Sequence, residues 1–157
     1  AELVIVEYFD PNCPHCRRFY PTLKALVSEY GLVARFVFKP IPLWQFSIDQ
    51  VAALLEASRQ GRFEALLALQ YENQRRGGLP RQTLLALAGQ AGMDTGTLQQ
   101  ALDQKTYLQR MLEDRRLAVE AGIRGVPALI IGGRLAHHDY SFDCLQRLVE
   151  QVLQQQP

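Results

Sequence analysis

The chain has 157 residues, of which 48% are hydrophobic and 21% charged, and 17 Lys+Arg against 16 Asp+Glu leave a formal charge of +1. This composition excludes disorder and collagen-like repeats, and the near-neutral balance supplies no field to draw in nucleic acid or an anionic membrane. No apolar run reaches the roughly 18–20 residues of a membrane span, and three cysteines are too few for a disulfide-built scaffold.

The length suits one compact domain, or one with an insertion. Ala1-Glu2 leads at once into Leu3-Val4-Ile5-Val6, without a basic n-region or cleavage motif. A signal peptide or anchor is therefore expected to be absent or already removed. A core-like strand this early reads as trimmed from something longer.

Leu3 to Phe9 is almost continuously apolar, as in a central strand buried on both faces. Asp10-Pro11-Asn12 breaks it. A helix is predicted from about Cys13, with Pro14 at its first position, where a missing N–H does no harm. Phe19, Leu23, Leu26, Val27 and Tyr30 recur at helical spacing, Gly31 stands at the C-cap, and Pro21 is expected to kink the helix. Leu32 to Phe38 reads as a second strand, ended by Pro40 and Pro42.

From Ser47 to about Gly122 the signals are wholly helical, with breaks at Gly61, at Gly77-Gly78-Leu79-Pro80, at Gly92 to Gly96 and near Thr106. Four or five short helices with leucine and alanine stripes follow from that spacing. Pro127 to Ile131 reads as a third strand. Gly132-Gly133 suits a tight hairpin turn, and Arg134 to His138 a returning fourth strand. Ser141 or Asp143 caps a last helix with Phe142, Leu145, Leu148, Val149, Val152 and Leu153 on its apolar face.

The order is β-α-β, a helical block, then β-β-α. It predicts an α/β fold with a small mixed sheet covered on both faces. Residues 1–46 and 123–157 form the sheet domain, and 47–122 an inserted all-helical subdomain.

Cys13-Pro14-His15-Cys16 stands where the first strand hands over to the first helix. One helical turn brings two thiols three residues apart within bonding reach. Cys13 sits at a helix N-terminus, where unpaired N–H groups and the dipole favour an anion, and His15 adds a polarisable ring. All of these lower the Cys13 pKa. A stabilised thiolate is a good leaving group, so the disulfide form is readily attacked and reduced, which is the chemistry of an oxidant of other thiols. The competing reading is a Cu or Zn site. It needs two further ligands, and the spare candidates are His137, His138 and Cys144. The two histidines are adjacent in a presumed strand, so only one faces any given side.

Cys13-Pro14-His15-Cys16 after a buried strand and Asp-Pro-Asn, a central helical block, and Gly125-Val126-Pro127 before a late hairpin together resemble the DsbA family of thioredoxin-fold thiol–disulfide oxidoreductases. The likeness spans roughly residues 3–155. Thioredoxins usually carry C-G-P-C and protein disulfide isomerases C-G-H-C, so the dipeptide between the cysteines points to the oxidising branch. The resemblance implies a thioredoxin-like fold and a cis-proline at Pro127, facing the active cysteine. It also implies that Val126 and Pro127 line the groove for a substrate's extended backbone. Valine before that proline accompanies oxidases. The bacterial isomerases usually have threonine there and carry a dimerisation domain, which leads to the expectation of a monomer. Kappa-type glutathione-linked relatives usually have serine where Cys13 stands. Many relatives have an extra strand before the one at residue 3.

Glu7 shares a strand face with Leu3, Ile5 and Phe9, six residues before Cys13. A carboxylate under the site has a raised pKa and can take a proton from Cys16. The family carries a buried acid there, often near a base on the next strand, which makes Arg35 the expected partner and Lys39 the alternative. Cys144 falls on the flank of the last helix's apolar face and reads as a structural thiol. Trp44 and Phe46 read as interdomain packing, with a peptide groove as the alternative. Arginines at 75–76 and 115–116 read as solvated helix faces.

The expected function is a thiol:disulfide oxidase with no bound cofactor, its redox group being the Cys13–Cys16 pair. Reductase or isomerase action is the alternative. Expected partners are reduced substrate proteins and, from the resemblance, a quinone-linked membrane reoxidase of the DsbB or vitamin-K-epoxide-reductase type. The expected setting is extracytoplasmic, in the periplasm or cell envelope.

Overall fold

The computed structural model describes residues 2–137 and 139–156. Its elements are β1 (Leu3–Phe9), α1 (Pro14–Tyr30), β2 (Ala34–Pro40), a 3-10 turn at Gln45–Ser47, α2 (Ile48–Arg59), α3 (Phe63–Glu72), α4 (Arg81–Gln90), α5 (Thr95–Asp103), α6 (Leu108–Glu120), β3 (Ala128–Ile131), β4 (Arg134–Leu135) and α7 (Phe142–Gln154). The sheet runs β2-β1-β3-β4. β1 pairs parallel with β2 and antiparallel with β3, which pairs antiparallel with β4. This is the mixed sheet expected from the sequence, with five helices between its halves.

Three boundaries differ from expectation. β2 begins at Ala34 rather than Leu32 and runs on to Pro40, paired with Phe9. β2 is an edge strand, and a proline at its last position removes no donor that the sheet needs. Leu32 and Val33 are left exposed in the preceding turn, so their hydrophobicity misplaced the start. β4 stops at Leu135, well short of His138, which lies outside the described residues. Gly31 does occupy the C-cap of α1, but in a right-handed conformation. Closeness makes glycine fit there, since a Cβ would stand 2.7 Å from the Val27 carbonyl oxygen. At the hairpin, Gly132 and Gly133 have φ of 57° and 84°, both in the region that glycine enters freely.

Strand alternation sorts the core. Leu3 and Ile5 of β1 join Leu129 and Ile131 of β3, and pack under Phe19, Leu23 and Leu26 of α1 and Leu145, Val149 and Val152 of α7. On the opposite face Tyr8 and Ala128 meet Ile41, Ala118 from the end of α6, and Ile123. Phe9, at the end of β1, joins the core of the helical block together with Cys13 and Cys16. The redox motif therefore sits at the seam between sheet and helices. Ser141 caps α7, its Oγ accepting from the Cys144 amide at 3.3 Å.

Candidate active site

β1 ends at Phe9, and Asp10 then turns the chain into α1. The Asp10 carboxylate is fully buried. It accepts from the Asn12 amide at 2.8 Å, from the Leu43 amide at 2.8 Å and from Ser47 Oγ at 2.9 Å. Asn12 Nδ2 donates to the same Ser47 oxygen at 3.0 Å. From the far end of α3, Gln74 Nε2 donates to the carbonyls of Pro11 and Cys13, both at 3.0 Å. The loop before the motif is thus fastened to the chain after β2 and to the helical block. Burial pushes the Asp10 carboxyl up, against the three hydrogen bonds that pull it down.

Cys13 is the N-cap of α1, and its sulfur accepts from the Cys16 amide at 3.4 Å, where a serine or aspartate oxygen would ordinarily stand. Its thiol donates to the Val126 carbonyl at 3.7 Å. The Val126–Pro127 peptide bond is cis. Both cysteines are free thiols; Cys13 is 5% exposed and Cys16 fully buried.

The Cys13 thiol is lowered from 9.0 to about 6. The foremost cause is the hydrogen bond from the Cys16 thiol; burial opposes it, and the amides of Cys16 and His15 and the charge of His15 add to the lowering. The helix terminus and His15 were legible in sequence, whereas the Cys16 thiol as leading donor was not. Cys16 is pushed far up, first by burial and then by its bond to Cys13. One thiol is set up as an anion and the other as its proton-bearing partner.

Glu7 lies where alternation put it, 2% exposed. Burial, then the Cys13 charge, raises its carboxyl well above the usual value. The expected basic partner does not reach it. In the register Glu7 lies beside Phe38, whereas Arg35 lies beside Val4 and Lys39 beside Tyr8. Both bases therefore belong to the opposite face of the sheet. Arg35 is exposed, and Lys39 pairs instead with Asp114 of α6 at 3.4 Å.

Pro14 and His15 are exposed at the helix start, and Arg18 Nη2 lies 2.7 Å from His15 Nδ1. Cys144 is half-buried and separate from the pair. Trp44 and Phe46 stand where interdomain packing is expected, Phe46 so close to Gly78 that a Cβ there would lie 2.9 Å from its ring, yet neither is fully covered. They are 40% and 42% exposed and stack on each other with centroids 5.3 Å apart. Among the described residues, no group of three or more His, Cys, Asp and Glu side chains is placed to hold a metal.

Sequence reasoning missed Tyr71 and Gln74. Tyr71 of α3 is buried against Phe9 and Tyr20, and its phenol is pushed up by burial and then by Glu7, Cys16 and Cys13. No local signal marks either residue, because only the docking of α3 onto the motif gives them a role.

A thioredoxin-like sheet carrying a helical block, with a C-x-x-C pair at the start of α1 opposite a cis-proline, defines the architecture of the DsbA-like oxidoreductases. The chain belongs to the thioredoxin family, whose model matches residues 1–151. A thioredoxin-like oxidoreductase from Silicibacter pomeroyi superposes with a TM-score of 0.85 at 26% identity, over 99% of this chain and 89% of that one. The catalytic domain of Proteus mirabilis ScsC gives 0.82 at 25% identity, over 99% and 85%. Among curated proteins, the thiol:disulfide interchange protein DsbA of Azotobacter vinelandii is 26% identical over 91% of this chain and 66% of its own length. A protein named Na(+)/H(+) antiporter NhaA 3, from Salinispora tropica, is 28% identical over 95% of this chain, which spans 23% of that protein's length.

Proposed function

We propose that the chain exchanges thiols and disulfides with other proteins, in the oxidising direction. A substrate thiolate attacks Cys13 Sγ in the Cys13–Cys16 disulfide. The S–S bond breaks, a mixed disulfide forms, and Cys16 leaves as a thiolate that takes up a proton. A second substrate thiolate attacks the substrate sulfur of the mixed disulfide and expels Cys13 as a thiolate. The substrate loses two electrons and gains a disulfide; the pair gains two electrons. Glu7, whose raised carboxyl feels the charge of the pair, hands a proton to Cys16 or receives it in this reading. The Val126 carbonyl and Pro127 offer an edge for the substrate backbone.

The observation carrying the exchange chemistry is the opposed setting of the two thiols, Cys13 lowered to about 6 and Cys16 raised and buried; the lowered Cys13 favours the oxidising direction without setting it alone. Support for the substrate class comes from the likeness to the Azotobacter vinelandii DsbA. We extend the reading to an extracytoplasmic monomer acting on reduced proteins and reoxidised by a quinone-linked membrane partner. The likeness to a periplasmic thioredoxin-like protein from Salmonella enterica, 25% identical with a TM-score of 0.77, supports that compartment.

The test is the reduction potential of the Cys13–Cys16 pair in glutathione buffers. A value near about −120 mV, the DsbA end of the known range, supports an oxidase, and one near about −270 mV, the thioredoxin end, makes the chain a reductase.

A further inference from the structure

An open groove of about 560 Å³ adjoins the redox motif on the side of the late hairpin. Its walls include His15, Arg18 and Thr22 of α1, Pro127, His137 and Tyr140. Val126, whose carbonyl faces the Cys13 sulfur, also lines it, so the groove begins one residue from the reacting sulfur.

Its electrostatics are one-sided. No carboxylate stands among its lining residues, and α1 has no acidic residue in its first turn. The ion pairs among the described residues engage the guanidinium groups of Arg59, Arg81, Arg110 and Arg116 with carboxylates, but not that of Arg18. Arg18 contacts the imidazole of His15 instead, across 2.7 Å. Asp139, next to the groove in sequence, has Oδ1 accepting from the Ser141 amide at 2.7 Å. One wall is fixed: the Tyr140 hydroxyl accepts from the Leu129 amide at 2.9 Å and donates to the Ala136 carbonyl at 3.1 Å. A planar guanidinium at the rim of a groove without acids is complementary to a carboxylate.

We propose that this groove receives an acidic side chain flanking the substrate cysteine, with Arg18 as the specificity-determining residue. The proposal rests on the thiol–disulfide reading above and names its substrate class: reduced polypeptide segments with aspartate or glutamate close to the reacting cysteine. Arg18 acts on recognition and does not enter the exchange of bonds.

The experiment uses three synthetic dithiol peptides that differ only two positions from the first cysteine, where they carry Glu, Gln or Lys. Each is oxidised by the wild-type disulfide form and by Arg18→Gln and Arg18→Glu, with acid quenching and chromatography to give rates. Comparing peptides within one protein cancels any change in intrinsic reactivity caused by the contact of Arg18 with His15. In the wild type the Glu peptide reacts about three- to fivefold faster than the Lys peptide, the size expected of a partly exposed ion pair. The ratio falls to about one in Arg18→Gln and inverts in Arg18→Glu, and about 1 M salt compresses it in every case. Equal rates for the three peptides in the wild type overturn the groove proposal while leaving the redox reading intact. A Glu preference unchanged in Arg18→Glu also overturns it. If the wild type fails to oxidise even the Gln peptide, the redox reading falls and takes the groove's substrate with it.

Discussion

The sulfur of Cys13 lies 3.7 Å from the carbonyl oxygen of Val126, a contact across 113 positions of sequence. It joins the start of α1 to the segment that enters β3. The Val126 carbonyl thus stands beside the reacting sulfur, and the thiol–disulfide reading proposed above has several measurable consequences.

The two cysteines have separable roles. Cys13→Ser is expected to abolish turnover of a dithiol peptide, because the attacked sulfur is gone. Cys16→Ser retains the Cys13 thiolate, so the mixed disulfide it forms by attacking a small disulfide such as oxidised glutathione, which leaves as one thiol, should persist and be visible by mass spectrometry under non-reducing conditions. Turnover surviving in Cys13→Ser would rule out the mechanism.

The thiolate should titrate near pH 6, read as absorbance at 240 nm in the reduced protein and absent from Cys13→Ser. The sign for stability follows from a folded value lowered below the unfolded one. The contribution to the reduced form is complete above the ordinary thiol value of 9.0 and is lost as pH falls through about 6. The melting temperature of the reduced protein relative to the oxidised protein should thus fall as pH drops from about 8 toward 5. At pH 7 a shift from 9.0 to about 6 is worth at most about 1.4 kcal/mol, or about 30 mV, before solvent screening reduces it. That is a small part of the span of about 150 mV between oxidase and reductase potentials, so other differences between the dithiol and disulfide forms set most of the potential.

Glu7 has the opposite sign. Its folded value is raised, so its contribution is fully present below the usual carboxyl value of 4.5 and is lost as pH rises through the folded value. Glu7→Gln should therefore melt higher than wild type at pH 8, with the advantage gone at pH 4. The same variant should slow formation of the mixed disulfide, the step in which Cys16 departs and takes up a proton, by about a hundredfold, the low end of general acid–base catalysis. An unchanged rate of that step would leave Glu7 a buried acid without a part in proton transfer.

The loop clamps should carry stability out of proportion to their size. Asp10→Ala leaves the Asn12 and Leu43 amides and the Ser47 hydroxyl without their acceptor, at a cost of about 2–4 kcal/mol. Gln74→Ala loses two donors to the Pro11 and Cys13 carbonyls and should cost about 1–2 kcal/mol in urea unfolding. Gln74→Glu should do no better, since a carboxylate offers those carbonyls no donor at neutral pH. Changes below about 0.5 kcal/mol in both Asp10→Ala and Gln74→Ala would show the loop to be held by other contacts.

Much of the architecture was legible because its signals are local. Glycine and proline punctuated the helical block at the right places, and the apolar run of β1 and the paired glycines of the hairpin needed no partner to be read. Errors came where local hydrophobicity and tertiary position disagree. Leu32 and Val33 are apolar yet lie in an exposed turn, and Trp44 and Phe46 stay partly open to solvent.

The sequence by itself determined the order of elements, the placing of Cys13 at a helix start and the burial of Glu7, because periodicity, capping and strand alternation are properties of neighbouring residues. Only the tertiary structure decided what surrounds them. Parallel register put Arg35 and Lys39 on the far face from Glu7, and the docking of α3 brought Tyr71 and Gln74 to the motif. Antiparallel pairing of β3 with β1, which sets Ala128 beside Tyr8, brought Val126 to Cys13. Such relationships depend on how distant segments pack, which no spacing along the chain encodes.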